Sequence, residues 1–145
     1  MAPRVDFYVS AEAGEAARLR LACRVAEKAY IAGQRVLVWS DEPALLSRFD
    51  ELLWTFGDGS FVPHDLVTEA CADSPAPVVL TTGPLPASVG TGAALLNLGQ
   101  TVPPFFEQFA RVAEILDARP EVRSAGRERF KAYRGKSIDP QTHNI

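Results

Sequence analysis

A chain of 145 residues is the size of one domain around one core. Its 47% hydrophobic and 23% charged residues exclude a disordered protein, and no apolar run approaches the ~20 residues that span a bilayer. The net charge of −3 argues against a surface that binds nucleic acid generally. The opening "MAPRVDFYVS" shows no apolar leader, so a cytoplasmic domain is expected.

"RVDFYV" (Arg4–Val9) is β-branched and aromatic, as a strand should be. In the next stretch Leu19, Ala22, Ala26 and Ala29 recur at helical spacing, with Arg18, Arg20, Arg24, Glu27 and Lys28 expected on the outside. Gly33 is placed to cap that helix. "QRVLVWS" (Gln34–Ser40) has the continuous apolar centre of a strand covered on both faces. Ser40 or Asp41 should then N-cap a helix that carries Pro43 in its first turn and Leu45, Leu46, Phe49, Leu52 and Leu53 on its apolar face. "GDGSFVPHDL" reads as a turn, a short extended piece and another turn. Pro77–Gly83 and Ala93–Gly99 read as two more buried strands around a Gly/Pro loop. Val102–Asp117 reads as a helix with Phe105, Phe109, Val112 and Leu116 on one side, and Pro120 opens another that Gly135 can stop. The βαβα rhythm predicts a single α/β domain over residues 1–145. Its architecture should be a three-layer α/β/α sandwich with a mostly parallel, Rossmann-like sheet.

Enzyme chemistry finds little support. Gly90-x-Gly92 lacks the third glycine of a dinucleotide loop, because Leu95 stands in its place. The first β–α turn, "VSAEAGEAA", is not such a loop either, and a polar cluster at the carboxyl ends of the strands is not visible. His64 and Cys71 could be cast as base and nucleophile, but a lone His after "FVP" fits a turn residue bonded to backbone. Cys23 and Cys71 match no metal or redox spacing and read as reduced thiols. No cofactor, metal or catalytic residue is expected.

Charge, by contrast, is concentrated. Arg119–Lys136 holds seven Lys/Arg and two Asp/Glu, a local +5 that leaves −8 for the rest. On a helix advancing ~100° per residue, with Arg123 at zero, Arg127 lands near ~40°, Phe130 near ~340°, Lys131 near ~80° and Arg134 near ~20°. Four cations and a ring therefore share one stripe. It is either a solvated face whose Phe130 tucks inward, or a socket for a ligand both anionic and apolar, such as an acidic peptide with an aromatic end. Single-stranded DNA has matching chemistry, but the −8 remainder would repel long strands, so little direct nucleic-acid binding is expected. Trp54, Phe56 and Phe61 gather at a helix end and its turn, either as core or as a protein-docking anchor.

Taken in order, "DFYV", "LACRVAEKAYIAGQRVLV", "FDELLWTFGDGSFVPHDL", "PVVLTTG", "LLNLG", "PPFFEQFARVAEILD" and "GRERFKAYRGKSID" resemble the chi subunit family of bacterial DNA polymerase III holoenzyme over nearly the whole chain. The resemblance implies a non-catalytic accessory subunit of the clamp-loader complex. It implies two partners: the psi subunit, and the acidic C-terminal tail of single-stranded DNA-binding protein, which ends in an aromatic residue. The family's tail-binding cations fall on Arg123, Arg127 and Lys131, its aromatic position on Phe130, and Arg134 extends the same stripe. Position 123 is often lysine in relatives, and guanidinium and ammonium grip carboxylates differently. The family's psi contact carries over to Trp54, Phe61, Val62 and Pro63, and a helicase is a further candidate for that face. A Rossmann-type nucleotide-binding enzyme and a direct single-stranded DNA binder stand as the alternatives.

Overall fold

The computed structural model describes residues 2–57, 59, 61–67, 74–83 and 92–145. The chain runs β1 (Arg4–Val9), α1 (Glu15–Ile31), β2 (Val36–Trp39), α2 (Pro43–Thr55), β3 (His64–Val67), β4 (Val78–Thr81) and β5 (Ala94–Asn97). It continues through a 3₁₀ turn (Phe106–Gln108), β6 (Arg111–Leu116), α3 (Pro120–Gly135) and β7 (Gln141–Asn144). Among the described residues the strands form one sheet in the order β3-β4-β2-β5-β6-β1-β7, and each pairing is parallel.

Parallel strands must be covered on both faces, and here two cores do so. Val36 and Val38 point to one side, where Leu19, Ala22 and Ala26 of α1 meet Leu46, Phe49 and Leu53 of α2. Leu37 and Trp39 point to the other, where Phe106, Phe109 and Tyr133 close over the sheet. The three layers are α1/α2, the sheet, and α3 with the 3₁₀ turn. Among the described residues no helix is long and apolar enough to cross a membrane.

Several expectations need correction. Val102–Asp117 is not a helix: it is the 3₁₀ turn followed by β6, which lies between β5 and β1. Phe105, Phe109, Val112 and Leu116 do share one core, but a turn and a strand bring them there. Two ladders, to β5 and β1, outweigh local propensity in this segment. His64 opens strand β3 rather than lying in a turn, and His143 belongs to edge strand β7 rather than to a tail. The N-cap of α2 is Glu42 instead of Ser40 or Asp41; Ser40 Oγ accepts the Glu42 N–H at 3.0 Å. Arg18 was expected outside and is buried. Gly33 does follow α1 in the left-handed region, at φ 81°. Gly90 and Cys71 lie outside the described residues.

Candidate protein-docking sites

Helix α3 turns Gly126, Arg129 and Tyr133 inward, so the stripe runs from Phe130 at the edge of the buried face round to the exposed Lys131. Phe130 sits at the edge of the buried face, its ring centroid 5.4 Å from that of Phe7 on β1. A cavity of about 230 Å³ opens between α3 and the β6–β1–β7 edge. Phe7, Val9, Leu116 and Phe130 make its apolar floor, Arg123 and Arg127 its rim, and Thr142 and Asn144 its far wall. The floor exists because Gly126 lets α3 come close to the sheet. A Cβ there would lie 2.6 Å from Leu116 Cδ1.

Among the described residues neither Arg123 nor Arg127 makes an ion pair, so both guanidinium groups face solvent uncommitted. Lys131 Nζ lies 3.5 Å from Glu128 Oε1, with both side chains exposed. Lys131 and Arg134 do not line the cavity; they extend its positive field along the helix. The wall strand β7 is held on its other side, where His143 Nε2 lies 2.9 Å from Asp6 Oδ1 and the His143 ring stacks on Tyr8 at 5.0 Å.

At the opposite edge of the sheet Trp54 is 45% exposed and Phe61 64%, with ring centroids 5.7 Å apart. His64 braces them. Its ring lies 3.9 Å from that of Trp54, its Nδ1 is hydrogen-bonded to the Val62 carbonyl at 2.7 Å, and its Nε2 reaches Asp50 at 3.1 Å. The expected backbone bonding of His64 is therefore present, and it props the Trp54 ring, beside which Phe61 lies. Pro63 is half-buried, whereas Val62 is 0% exposed and can support a contact but not make one.

A third polar group went unread in the sequence. At the carboxyl ends of the strands Glu114 on β6 is fully buried. It accepts from Arg129 Nε at 2.8 Å, Tyr133 Oη at 2.7 Å and Asn97 Nδ2 at 2.9 Å. Burial first, then the Glu114 charge, pushes the Tyr133 phenol far up. Asp117 follows β6 and accepts from the Gly14 N–H at 3.1 Å and from Arg119. Burial would raise its pKa, but these bonds together hold it below the ordinary carboxylate value. The expectation that no polar cluster stands at this edge is thus overturned. The sequence hides it, because the segment around Glu114 has the apolar spacing of a helix and Arg129 lies off the charged stripe of α3.

The DNA polymerase III chi subunit family (HolC) matches residues 2–141. The chain belongs to that family. It is 39% identical over 142 residues to the DNA polymerase III subunit chi of Pseudomonas aeruginosa, covering 98% of this chain and 96% of the relative. The corresponding subunit of Escherichia coli K12 is 31% identical over 115 residues, 79% of this chain and 77% of the relative. That of Haemophilus influenzae is 27% identical over 146 residues, 100% of this chain and 99% of the relative. As a chi-family chain it is an accessory replication subunit of DNA polymerase III. The family match takes in both arginines of the cavity rim and the whole aromatic patch, and ends at the first residue of β7.

Proposed function

We propose that this chi-family subunit is an adaptor, holding the acidic C-terminal tail of single-stranded DNA-binding protein in the α3 cavity and the psi subunit against Trp54 and Phe61. The observation that carries the reading is the pairing of an apolar cavity with two uncommitted arginines on its rim. At about 230 Å³ the cavity is smaller than the ~300–1,000 Å³ of most small-molecule pockets, so it suits one aromatic side chain better than a cofactor. Arg123 and Arg127 would pair with the tail carboxylates, Lys131 and Arg134 would steer them, and the terminal ring would lie on Phe130. A peptide that short buries little area, so affinity should be on the order of micromolar. Coated DNA displays many tails, and avidity would offset weak single contacts.

The aromatic patch supports the second contact. Two large rings held half out of water, close to the buried side chain of Val62, make an apolar anchor of the kind that dominates protein interfaces. That face suits psi, and a helicase could use it in turn.

The test is a fluorescence-anisotropy titration with a labelled acidic peptide ending in phenylalanine, the same peptide without that residue, and naked oligonucleotide, all at one salt concentration. The intact peptide should bind at least several-fold more tightly than either of the others. Equal binding of oligonucleotide and peptide would replace the reading with direct DNA binding.

A further inference from the structure

A second concavity, of about 270 Å³, lies at the carboxyl ends of the strands, away from both docking sites. At this edge the connections diverge. The chain after β1 and β2 enters α1 and α2 on one face, while the chain after β5 and β6 turns to the 3₁₀ turn and α3 on the other. Because β2 neighbours β5 and β6 neighbours β1, the loops part at both junctions. In parallel sheets such a parting is where ligands are held. Glu15, Glu42, Gly99 and Arg119 line the crevice from the four diverging connections.

Two buried guanidinium groups also line it. Arg129 is 4% exposed; its Nε is taken by Glu114 and its Nη1 by the Gln100 carbonyl at 3.1 Å. Its Nη2 is buried with no hydrogen-bond partner among the described residues. Arg18 is 7% exposed and donates Nε to the Ile115 carbonyl at 2.7 Å, but it pairs with no carboxylate among the described residues. Glu114 balances Arg129 and Asp117 balances Arg119. Arg18 is left, among the described residues, as a buried cation with no carboxylate at ion-pair distance, served only at longer range by the charges of Glu114 and Asp117, and a bound anion would complete it.

We propose that this crevice binds a small oxyanion, a phosphate or a carboxylate, held between Arg18 and Arg129. The anion would meet the orphaned Nη2 of Arg129 and neutralise Arg18. Burial first, and then the charge of Arg129, already pulls the Arg18 guanidinium down to about 10, a tension that an anion between the two relieves. Three acids share the lining and limit how much negative charge the crevice accepts. Glu15 is engaged by Arg48, Glu42 by Gln100, and Glu121 joins them at the mouth. Their charge repels a polyanion such as DNA and admits a single small group.

The test uses the full chain labelled with ¹⁵N. The Nε–Hε signals of Arg18 and Arg129 are followed as inorganic phosphate or acetate replaces chloride at constant ionic strength. Saturable movement of both signals with either anion is expected, and the stronger anion names the ligand group. No saturable movement with either overturns the proposal. The movement should survive in Arg127→Ala; its loss there would assign the anion to the α3 cavity and overturn the proposal too. In Arg18→Met the Arg129 response should fall at least tenfold in apparent affinity, and an unchanged response would equally overturn it. If that variant does not fold, the wild-type and Arg127→Ala titrations decide alone.

Discussion

The two candidate docking sites lie at the two edges of the sheet and differ in almost every physical respect. The β7 edge offers a concave apolar floor beneath uncommitted cations; the β3 edge offers two protruding rings. Six inter-strand spacings of about 4.8 Å put the two edge strands roughly 29 Å apart. Sites so far apart, with no shared side chain, should lose binding independently. One should answer to salt and to the sign of a ligand's charge, the other to apolar area. On the adaptor reading proposed above, that contrast would let each surface reject the other's partner.

The strongest break in the comparison is Trp54→Ala. Removing an anchoring tryptophan should cost about 2 kcal/mol or more, roughly thirtyfold in psi affinity, and leave tail-peptide binding unchanged. A pull-down that loses both partners would show that only stability had changed. Arg127→Ala is the mirror experiment. It should weaken the acidic peptide about tenfold, the low end for a bond to a charged group because the site is solvated, and leave psi alone. Unchanged anisotropy with folded protein would remove Arg127 from the site.

Salt sharpens the contrast without a mutation. Screening shortens from about 8 Å at physiological ionic strength to about 3 Å at 1 M, so peptide affinity should fall several-fold while the psi contact barely moves. Gly126→Ala probes the floor. Its methyl must push Leu116 into the cavity or lift α3, so the peptide should weaken several-fold with little change at the β3 edge. Smallest is Asp117→Asn, which touches neither site. Because the folded pKa of Asp117 is depressed, its contribution is full above about pH 4 and fades as pH falls below that. The variant should be about 1 kcal/mol less stable near neutral pH, and the gap should close in acid denaturation curves.

Much of this was legible beforehand. Strand β1, helix α1 and helix α3 match their sequence patterns, because apolar periodicity and the Pro and Gly signals agree there. The cavity rim could be read off α3 because Arg123, Arg127 and Phe130 are close in sequence. Its floor could not: Phe7, Val9 and Leu116 are brought to it by β1 and β6, whose pairing joins residues about a hundred positions apart. The Arg–Glu–Tyr cluster failed for the same reason, compounded by a strand that imitates helical spacing. Arg18 shows the remaining limit. Its position on a helical wheel says nothing about a carbonyl on β6 that its guanidinium can reach.

Strand β7 runs parallel to β1, and the Ile145 N–H donates to the Val9 carbonyl at 2.9 Å. One wall of the α3 cavity is therefore made by Thr142 and Asn144 of an edge strand that pairs only with β1 among the described residues. Loosening that edge strand would open the cavity sideways while sparing the aromatic patch at the β3 edge.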